Sequence, residues 1–324
     1  MYFKSNVHSS PFRFFKHVIH FFSIQKMQKI ELLRKAESRK YLGFDKEDEN
    51  AWKGPFCFIQ GADTQFGMIS SYIKHESLIV WEKEMELARE AIKAINAMSP
   101  KPRFFVVCGD LIDAMPGNKY RNAQIEDFKR VFTELDPEIP LVCVCGNHDI
   151  GNQPTPATVA DYREKFGDDY FSFVCGGVLF IVINSQFYED PSLVQDLAKE
   201  QNVWLEKKLE EGKSGKYKHV IMFQHIPWFL REHDEPKEYF NIEPQLRQEM
   251  LKKFYDANVR AIFCGHYHRN AGGFYKDLEC VVTSAIGCQL GDDKSGFRVV
   301  KLDGKSINHK YYAFAEVPKH ISFD

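Results

Sequence analysis

The chain has 324 residues, with 43 Lys and Arg against 45 Asp and Glu and a formal net charge of -2. Hydrophobic residues make up 44% and aromatic residues 14%, so collagen-like, low-complexity and wholly disordered chains are excluded. The near-neutral balance gives no overall positive field that would gather nucleic acid over the surface, and we expect no nucleic-acid partner.

The first fifty residues differ in composition from the rest of the chain. No acidic residue occurs before Glu31, and Phe residues between positions 12 and 22 are interleaved with basic ones. We interpret residues 1–50 as a poorly ordered N-terminal extension and residues 51–324 as the domain. The alternatives are an organelle-targeting segment, a membrane-surface segment, or a translation start at Met27.

From Gly54 onward, short runs rich in Val, Ile, Phe and Cys alternate with longer amphipathic stretches. Runs this short, bounded by turn residues, predict β-strands. The predicted strands are 56–60, 103–108, 141–145, 170–174, 178–183, 219–223, 260–264, 278–283, 297–302 and 308–312. The predicted helices are 76–98, 123–135, 203–211 and 244–258. Gly176 and Gly177 predict a tight hairpin between two of the strands.

The order of these elements predicts an α/β domain. Strands and helices alternate in the first half, which is typical of a parallel sheet, and hairpins are more frequent in the second half. No apolar run is long enough to span a membrane, so stable membrane insertion is not expected. The eight cysteines contain no C-x-x-C pair, and several lie in apolar runs, which favours reduced thiols and a cytoplasmic location.

Polar side chains follow five of the predicted strands directly. In an open α/β sheet, ligands bind at the carboxyl ends of the strands, so these side chains should face one crevice. A glycine precedes several of them and lets the backbone turn sharply close to a ligand. The side chains are Asp63, Asp110, Asn147, His225, His266 and His268.

This combination of side chains indicates a metal centre. Carboxylate, amide oxygen and imidazole together suit divalent ions such as Mn, Fe or Zn. The donors outnumber the ligands of one tetrahedral ion, and two ions that share a bridging carboxylate account for them better. Two metals about 3.5–4 Å apart are a standard arrangement for hydrolysis of phosphoesters.

Longer motifs surround these residues: GADTQFG, CGDLIDAMPG, GNHDIGN, FQHIP and GHYHRNAGG. Over about residues 52–313 the chain resembles the calcineurin-like metallophosphoesterases. The resemblance implies an αββα sandwich in which two mixed β-sheets are flanked by helices. It also implies two divalent metal ions, of Mn, Mg, Fe or Zn.

The family pattern assigns a role to each residue. Asp110 would bridge both ions, Asp63 and His268 would hold the first ion, and Asn147, His225 and His266 would hold the second. His148 would act as a general acid that protonates the leaving alkoxide, and the attacking group would be a hydroxide held by the two metals. Asp113 would orient His148 by accepting its other ring proton, or would be an ordinary turn carboxylate.

Three further positions stay open. The family usually has Asp-x-His in its first motif, whereas this chain has Gln65. Gln65 is either a neutral and poorer ligand, which should tilt the first site toward Mg or Mn, or not a ligand at all. Arg269 either binds a phosphate group or is an ordinary surface arginine. Asn184 is a candidate to line the pocket, or caps a loop. An acidic stretch at 232–238 is a solvated loop or a recognition element.

The function that the resemblance implies is hydrolysis of phosphoserine and phosphothreonine in proteins by a metal-dependent phosphomonoesterase. Its partners would be phosphoprotein substrates, with a signalling kinase as one candidate. A phosphodiesterase or nucleotide hydrolase would use the same centre, and it is the first alternative. A binding scaffold on a decayed metal site is the second alternative, and Gln65 is the feature that favours it.

Overall fold

Two β-sheets pack face to face with helices on their outer surfaces, as the resemblance implied. The structure is a computed structural model and describes residues 34–44 and 47–323. In the five-stranded sheet the strands lie in the spatial order 307–313, 296–302, 56–61, 105–108 and 141–144. In the eight-stranded sheet the order is 36–37, 40–41, 171–175, 178–182, 220–223, 259–264, 278–282 and 271–275. Both sheets are mixed, with parallel strands at the centre of each.

The five-stranded sheet brings the first predicted strand ends to one edge. Its strands are β3 (Phe56–Gly61), β4 (Phe105–Cys108), β5 (Leu141–Val144), β12 (Gly296–Leu302) and β13 (Ile307–Ala313). The strands β3, β4 and β5 run parallel, so their carboxyl ends lie side by side. The strands β12 and β13 extend the other side of β3 as an antiparallel pair.

The eight-stranded sheet contributes the remaining strand ends. Its strands are β1 (Ala36–Glu37), β2 (Lys40–Tyr41), β6 (Phe171–Cys175), β7 (Val178–Val182), β8 (Val220–Phe223), β9 (Val259–Cys264), β10 (Ala271–Tyr275) and β11 (Leu278–Val282). Each predicted strand is present, and β6 and β7 form the predicted hairpin at Gly176 and Gly177. The sequence did not predict β1 and β2, which have two residues each, or β10, whose two glycines weaken a strand pattern.

The helices cover the outer faces of both sheets. They are α1 (Glu82–Asn96), α2 (Arg121–Phe132), α3 (Asn147–Ile150), α4 (Pro156–Phe166), α5 (Gln186–Glu189), α6 (Gln195–Lys213) and α7 (Pro244–Asp256). Apolar residues of α1, α2 and α4 form a core against the five-stranded sheet, and those of α6 and α7 form one against the eight-stranded sheet. The four predicted helices are present with shifted ends. Within the described residues, no helix has the length and apolar character needed to cross a bilayer.

Phenylalanine rings fill the space between the two sheets. Phe58 on β3 stacks on Phe104 with ring centroids 4.7 Å apart, and it meets Phe180 on β7 and Phe223 on β8 edge-on. These side chains are fully buried. Offset and edge-to-face pairs add roughly 0.5–1.5 kcal/mol each beyond the burial of their area. This aromatic core therefore fixes how the two sheets, and the strand ends they carry, sit against each other.

Part of the predicted N-terminal extension belongs to the domain. Residue Lys40 on β2 pairs with Ser172 on β6, and Arg39 forms an ion pair of 3.0 Å with Asp168. Tyr41 is only 4% exposed, and its hydroxyl donates a hydrogen bond of 2.8 Å to the carbonyl of Leu141. Residues 39–41 therefore pack against the strands of the domain, in a segment whose two-residue strands leave no periodic pattern in the sequence; the boundary at residue 51 stays a prediction. Residues 1–33 lie outside the described residues, and the expectation for them stays a prediction.

Replacing Tyr41 tests whether this segment stabilises the domain. We expect Tyr41→Ala to lower the free energy of unfolding by about 3–5 kcal/mol, because it leaves a cavity beside Phe171 and Phe173. Tyr41→Phe should cost only about 1 kcal/mol, for the lost hydrogen bond. Chemical denaturation measures both, with Leu42→Ala as the control at a neighbouring residue that is 49% exposed. A Tyr41→Ala variant as stable as this control would contradict the assignment.

Candidate metal centre

The side chains predicted at strand ends meet where the carboxyl edges of the two sheets adjoin. Asp63, Asp110 and Asn147 follow β3, β4 and β5 of one sheet, while His225 and the His266/His268 pair follow β8 and β9 of the other. Four of these residues have left-handed backbone conformations, with φ of 52° for Asp63, 50° for Asp110, 69° for His266 and 53° for His268. Such conformations cost roughly 1–3 kcal/mol each and concentrate at functional sites.

Two glycines permit the close approach of these strand ends. A Cβ on Gly109, whose φ is +83°, would lie 2.3 Å from Nδ1 of His225. A Cβ on Gly146 would lie 2.2 Å from the backbone nitrogen of Asp110. Both distances are far below van der Waals contact, so any larger residue at either position would force the candidate ligands apart.

The side chains form two groups that share one carboxylate. Asp63, Asp110 and His268 form the first group, and Asp110, His225 and His266 form the second, with one ligand atom from each residue lying within 4.8 Å of the others in its group. Asn147 joins the second group, since its Oδ1 is 3.0 Å from Nε2 of His225. The arrangement agrees with the assignment that the resemblance implied, in which Asp110 lies between two ions; the role of each side chain as a ligand stays a prediction.

The surroundings of His225 fit a divalent cation. Its Nε2 atom is 3.2 Å from Oδ2 of Asp110, 3.0 Å from Oδ1 of Asn147 and 3.1 Å from Nδ1 of His266. Because Nδ1 of His225 faces the carbonyl of Cys108 and carries the ring proton, Nε2 of the neutral ring has a lone pair, and the oxygens of Asp110 and Asn147 face it with lone pairs of their own. A divalent cation accepts lone pairs from all of these atoms, so the donor set fits the metal site that the fold family implies.

Backbone carbonyls and a side-chain amide orient the candidate ligands. Nδ1 of His225 donates to the carbonyl of Cys108 at 2.8 Å, and Nδ1 of His268 donates to the carbonyl of Cys288. In each imidazole the lone pair of Nε2 is therefore directed toward the centre. Nδ2 of Asn147 donates to Asn152 at 2.8 Å, which directs its oxygen inward. Such supporting contacts are typical of metal ligands.

Burial and neighbouring charges shift the pKa values of the buried groups. Burial, opposed by the charge of His225, raises the pKa of Asp63 well above its ordinary value. Burial also raises the pKa of Asp110, but the charges of His225 and His148 outweigh this effect and lower it overall. His225 has a pKa raised to about 9, because Asp110 outweighs the opposing effect of burial. Burial lowers the pKa of His266, and lowers that of His268 to about 4. Bound cations would hold every one of these groups in its deprotonated form.

The candidate general acid, His148, lies beside Asp110 at the cavity surface. Its backbone N–H donates to Oδ1 of Asp110 at 2.8 Å. Its ring Nδ1 donates to the backbone carbonyl of Asp113 at 2.6 Å, whereas the carboxylate of Asp113 is 3.7 Å away. The group that accepts the ring proton is therefore the backbone carbonyl of Asp113, whereas the prediction assigned its carboxylate. Its carboxylate accepts instead from Ser71 at 2.7 Å and Gln65 at 3.2 Å.

Gln65 contacts the candidate general acid. Its Nε2 is 3.1 Å from Nε2 of His148 and donates to Asp113. Its Oε1 is buried and has no hydrogen-bond partner among the residues that the structure describes. This acceptor is available to a cation, so the side chain fits a metal site, and its role as a ligand stays a prediction.

The two predicted substrate-binding residues, Arg269 and Asn184, do not line the cavity that opens onto the candidate ligands. The guanidinium of Arg269 lies 4.9 Å from the ring centroid of Tyr267. Asn184 is fully buried and donates to Asp169 at 2.9 Å, and its backbone N–H donates to Gln201. The amide of Asn184 is therefore occupied within the protein, which agrees with the loop-capping alternative. Asp149, next to His148 in the sequence, accepts from the backbone N–H of Gly146 and so caps α3.

A cavity of about 610 Å³ opens onto the candidate ligands. Besides His148, Gln65 and Asp113, its lining contains side chains that the sequence did not predict. The polar Ser71 and Asn118 are among them. The others are apolar or aromatic and come from separate segments: Met68, Tyr72, Met115, Tyr239, Phe240 and Leu290. The acidic stretch that ends just before Tyr239 was the one sequence signal near this surface.

Comparison with known proteins agrees with this geometry. The family model described as calcineurin-like phosphoesterase matches residues 62–270. The chain is 49% identical to serine/threonine-protein phosphatase CPPED1 of Bos taurus, over 88% of the chain and 92% of that protein. It is 46% identical to serine/threonine-protein phosphatase CPPED1 of Danio rerio, over 87% of the chain and 93% of that protein.

Solved structures share the fold at low sequence identity. A dimetal phosphatase from Danio rerio is 16% identical with a TM-score of 0.59, covering 81% of this chain and 97% of its own. The purple acid phosphatase PPD1 from yellow lupin is 13% identical with a TM-score of 0.60, covering 83% of this chain and 53% of its own.

Replacing Asp110 tests whether one carboxylate supports both metal positions. We expect Asp110→Asn to lose most of its bound Mn, measured by elemental analysis of the purified protein, because both groups lose their shared charge. Saturating Mn should raise the unfolding temperature of the wild type by about 5 °C and leave that of the variant nearly unchanged. Asp113→Asn is the matched control, since its carboxylate belongs to neither group. Wild-type Mn content in Asp110→Asn would contradict the shared-ligand arrangement.

Proposed function

Because the chain belongs to the calcineurin-like phosphoesterase family, we propose that it is a metal-dependent phosphomonoesterase that hydrolyses phosphoserine and phosphothreonine in proteins. The observation that carries this proposal is the pair of ligand groups that share Asp110, with His148 at their edge. The protein substrate is supported by the names of the relatives, which are serine/threonine-protein phosphatases matched over about nine-tenths of their length.

Divalent ions held by the two ligand groups would supply Lewis-acid chemistry, which activates water and neutralises the charge of the phosphoryl group. Asp63 and His268 would hold the first ion, and Asn147, His225 and His266 the second, with Asp110 between them. The neutral amide of Gln65 favours Mg or Mn at the first position over Zn or Fe.

The protein's own contribution to the reaction centres on His148. The carbonyl of Asp113 accepts the proton of Nδ1, so Nε2 is the nitrogen that exchanges a proton with a bound ester. The contact between its backbone and Asp110 keeps the imidazole beside the candidate metal ligands. We infer that His148 protonates the leaving serine or threonine oxygen from Nε2, since an alkoxide is a poor leaving group unless it is protonated.

The amide of Gln65 contacts the same Nε2 atom and is the group that a bound ester would replace. A neutral His148 accepts from Nε2 of Gln65, while a protonated His148 needs an acceptor in that place. The leaving oxygen of a phosphoester provides that acceptor. Gln65 is therefore proposed to hold the ring in position until substrate binds.

Hydrolysis of phosphodiesters or nucleotides on the same centre is the alternative function. No Lys or Arg lines the cavity among the described residues, and nucleotide and nucleic-acid sites commonly use such cations. The scaffold alternative has less support, because the other candidate ligands are retained and His148 is in place beside them.

We propose a cytoplasmic location, and phosphorylated signalling proteins, kinases among them, as the partners. All eight cysteines are free thiols, as expected in a reducing compartment. Imaging the full chain against organelle markers tests the location, because enrichment in any organelle would contradict it.

A substrate panel tests the proposed reaction. We expect the Mn-loaded or Mg-loaded protein to release phosphate from phosphoserine and phosphothreonine peptides, and much more slowly from nucleotides, a cyclic dinucleotide and bis(4-nitrophenyl) phosphate. Phosphate release is measured with and without a chelator, and Asp110→Asn is the inactive control. Turnover confined to diesters or nucleotides would contradict the phosphomonoesterase assignment.

The general-acid role of His148 predicts a dependence on the leaving group. His148→Asn should lower kcat for a phosphoserine peptide roughly 100-fold or more, because the serine oxygen must be protonated as it leaves. The loss should be several-fold smaller for 4-nitrophenyl phosphate, whose leaving phenolate is stable without a proton. Bound Mn should stay at the wild-type level. Equal losses on both esters would show that His148 does not act as the acid.

A further inference from the structure

An apolar and aromatic surface surrounds the mouth of the metal centre. We call this surface the aromatic rim; its residues are Met68, Tyr72, Met115, Tyr239, Phe240 and Leu290. The ring centroids of Tyr239 and Phe240 lie 5.3 and 5.5 Å from that of His266, so these rings stand directly beside a candidate metal ligand. Whatever is esterified to a phosphate at the centre must therefore contact the rim.

The rim carries no positive charge with which to attract an anionic leaving group. Among the described residues that line the cavity, the charged groups are the candidate ligands and Asp113, with no Lys or Arg. Glu238, next to Tyr239, is exposed and adds negative charge at the mouth. Acidic groups next to the phosphoryl group would therefore be repelled, whereas apolar side chains would find partners.

Apolar exposure continues outward from one side of the rim. Tyr72 is 59% exposed, and the residues that follow it include Ile73, Leu78 and Val80, which are 48%, 67% and 42% exposed. On the other side of the mouth, Tyr239 is 62% exposed. Several exposed apolar side chains beside a candidate active site are typical of a binding surface.

The segment that carries Tyr239 and Phe240 is firmly anchored. Arg247 is fully buried and donates to the carbonyls of Ile242, His233 and Glu235. The carboxylate of Glu235 accepts from three consecutive backbone N–H groups, at residues 230, 231 and 232, and from the side chain of Asn241. The acidic stretch therefore uses Glu235 to shape the loop, and the two aromatic rings are held before any substrate arrives.

The opposite side of the rim is anchored as well. Ser71, beside Tyr72, donates to the carboxylate of Asp113 at 2.7 Å. The buried Glu84 accepts from the backbone N–H groups of Gly67 and Ile69, at 3.2 and 2.9 Å. Because both sides are already fixed, substrate binding loses little conformational entropy in ordering the rim, and the contacts made there can discriminate between substrates.

On the basis of the proposed protein-phosphatase function, we propose that the aromatic rim selects phosphosites whose flanking residues are apolar or aromatic. The phosphoryl group occupies the metal centre, and the side chains next to the phosphorylated residue pack on Tyr72 and Tyr239. Burying one such side chain corresponds to roughly a 10-fold or larger gain in affinity. Phosphosites flanked by acidic residues gain no contact and meet the charges of Asp113 and Glu238.

Three phosphoserine peptides of equal length test this proposal. They carry Phe or Leu, Gly, or Glu at both positions adjacent to the phosphoserine. With the Mn-loaded wild type, we expect kcat/KM to be about 10-fold higher for the apolar peptide than for the Gly peptide, and lowest for the Glu peptide. The difference should reside mainly in KM, and binding to the slow His148→Asn variant, followed by fluorescence anisotropy, should give the same order.

Rim variants identify the surface responsible. Tyr72→Ser and Tyr239→Ser should bring the ratio of kcat/KM between apolar and Gly peptides toward 1, and Tyr239→Leu should preserve the ratio, because it keeps an apolar surface. Val203→Ser is the matched control, since Val203 is 53% exposed on α6, does not line the cavity and should leave the ratio unchanged.

The outcomes separate this inference from the function on which it rests. Equal turnover of all three peptides, or a preference that survives Tyr72→Ser combined with Tyr239→Ser, would overturn the role of the rim and leave the phosphatase function standing. Failure to hydrolyse any phosphopeptide while nucleotides or other esters are hydrolysed would overturn both.

Discussion

The carboxylate of Asp110 is the group on which the arrangement of the site depends. One oxygen accepts the backbone N–H of His148 and the other contacts His225, so a single buried side chain joins the ends of β4 and β8 and the start of α3. Among the described residues its charge has no Lys or Arg partner and is balanced instead by imidazoles. A buried carboxylate is tolerated only when it is paired with positive charge. The packing of the two sheets around Asp110 therefore requires positive charge between them.

The same constraint explains why the charged side chains and the apolar side chains occupy different parts of the cavity. Charge is concentrated at its floor, where the strand ends are fixed by the aromatic core and by glycines that allow close approach. The walls come from the segments after β3, β4, β8 and β11, and they carry Met68, Tyr72, Met115, Tyr239, Phe240 and Leu290 beside the polar Ser71 and Asn118. Chemistry that depends on charge would therefore occur at the floor, and the proposed discrimination between substrates would occur at the walls.

The sequence predicted the parts of this structure that are encoded locally. The strands around Phe58 and Val107 stand out as short apolar runs, and Asp63, Asp110 and His225 stand out because each follows such a run. It did not reveal that the backbone carbonyl of Asp113, more than its side chain, orients His148, because any residue supplies a carbonyl. Tyr72 and Tyr239 are separated by more than 160 positions, so no local pattern marks them as neighbours of one cavity. Asn184 also follows a strand, but its amide is occupied by Asp169, which only the tertiary fold determines.

Tyr239 also has a direct connection to the centre, through its ring. Its ring centroid lies 5.3 Å from that of His266, and the same ring forms part of the rim. A substrate that packs on the tyrosine ring therefore also contacts a group that packs on a candidate metal ligand. Thermodynamic linkage makes this coupling reciprocal: a phosphoprotein that strengthens the hold on the cation is itself held more tightly when the cation is bound. The metal-loaded and metal-depleted forms would then differ in their affinity for the peptide as well as in their catalytic competence.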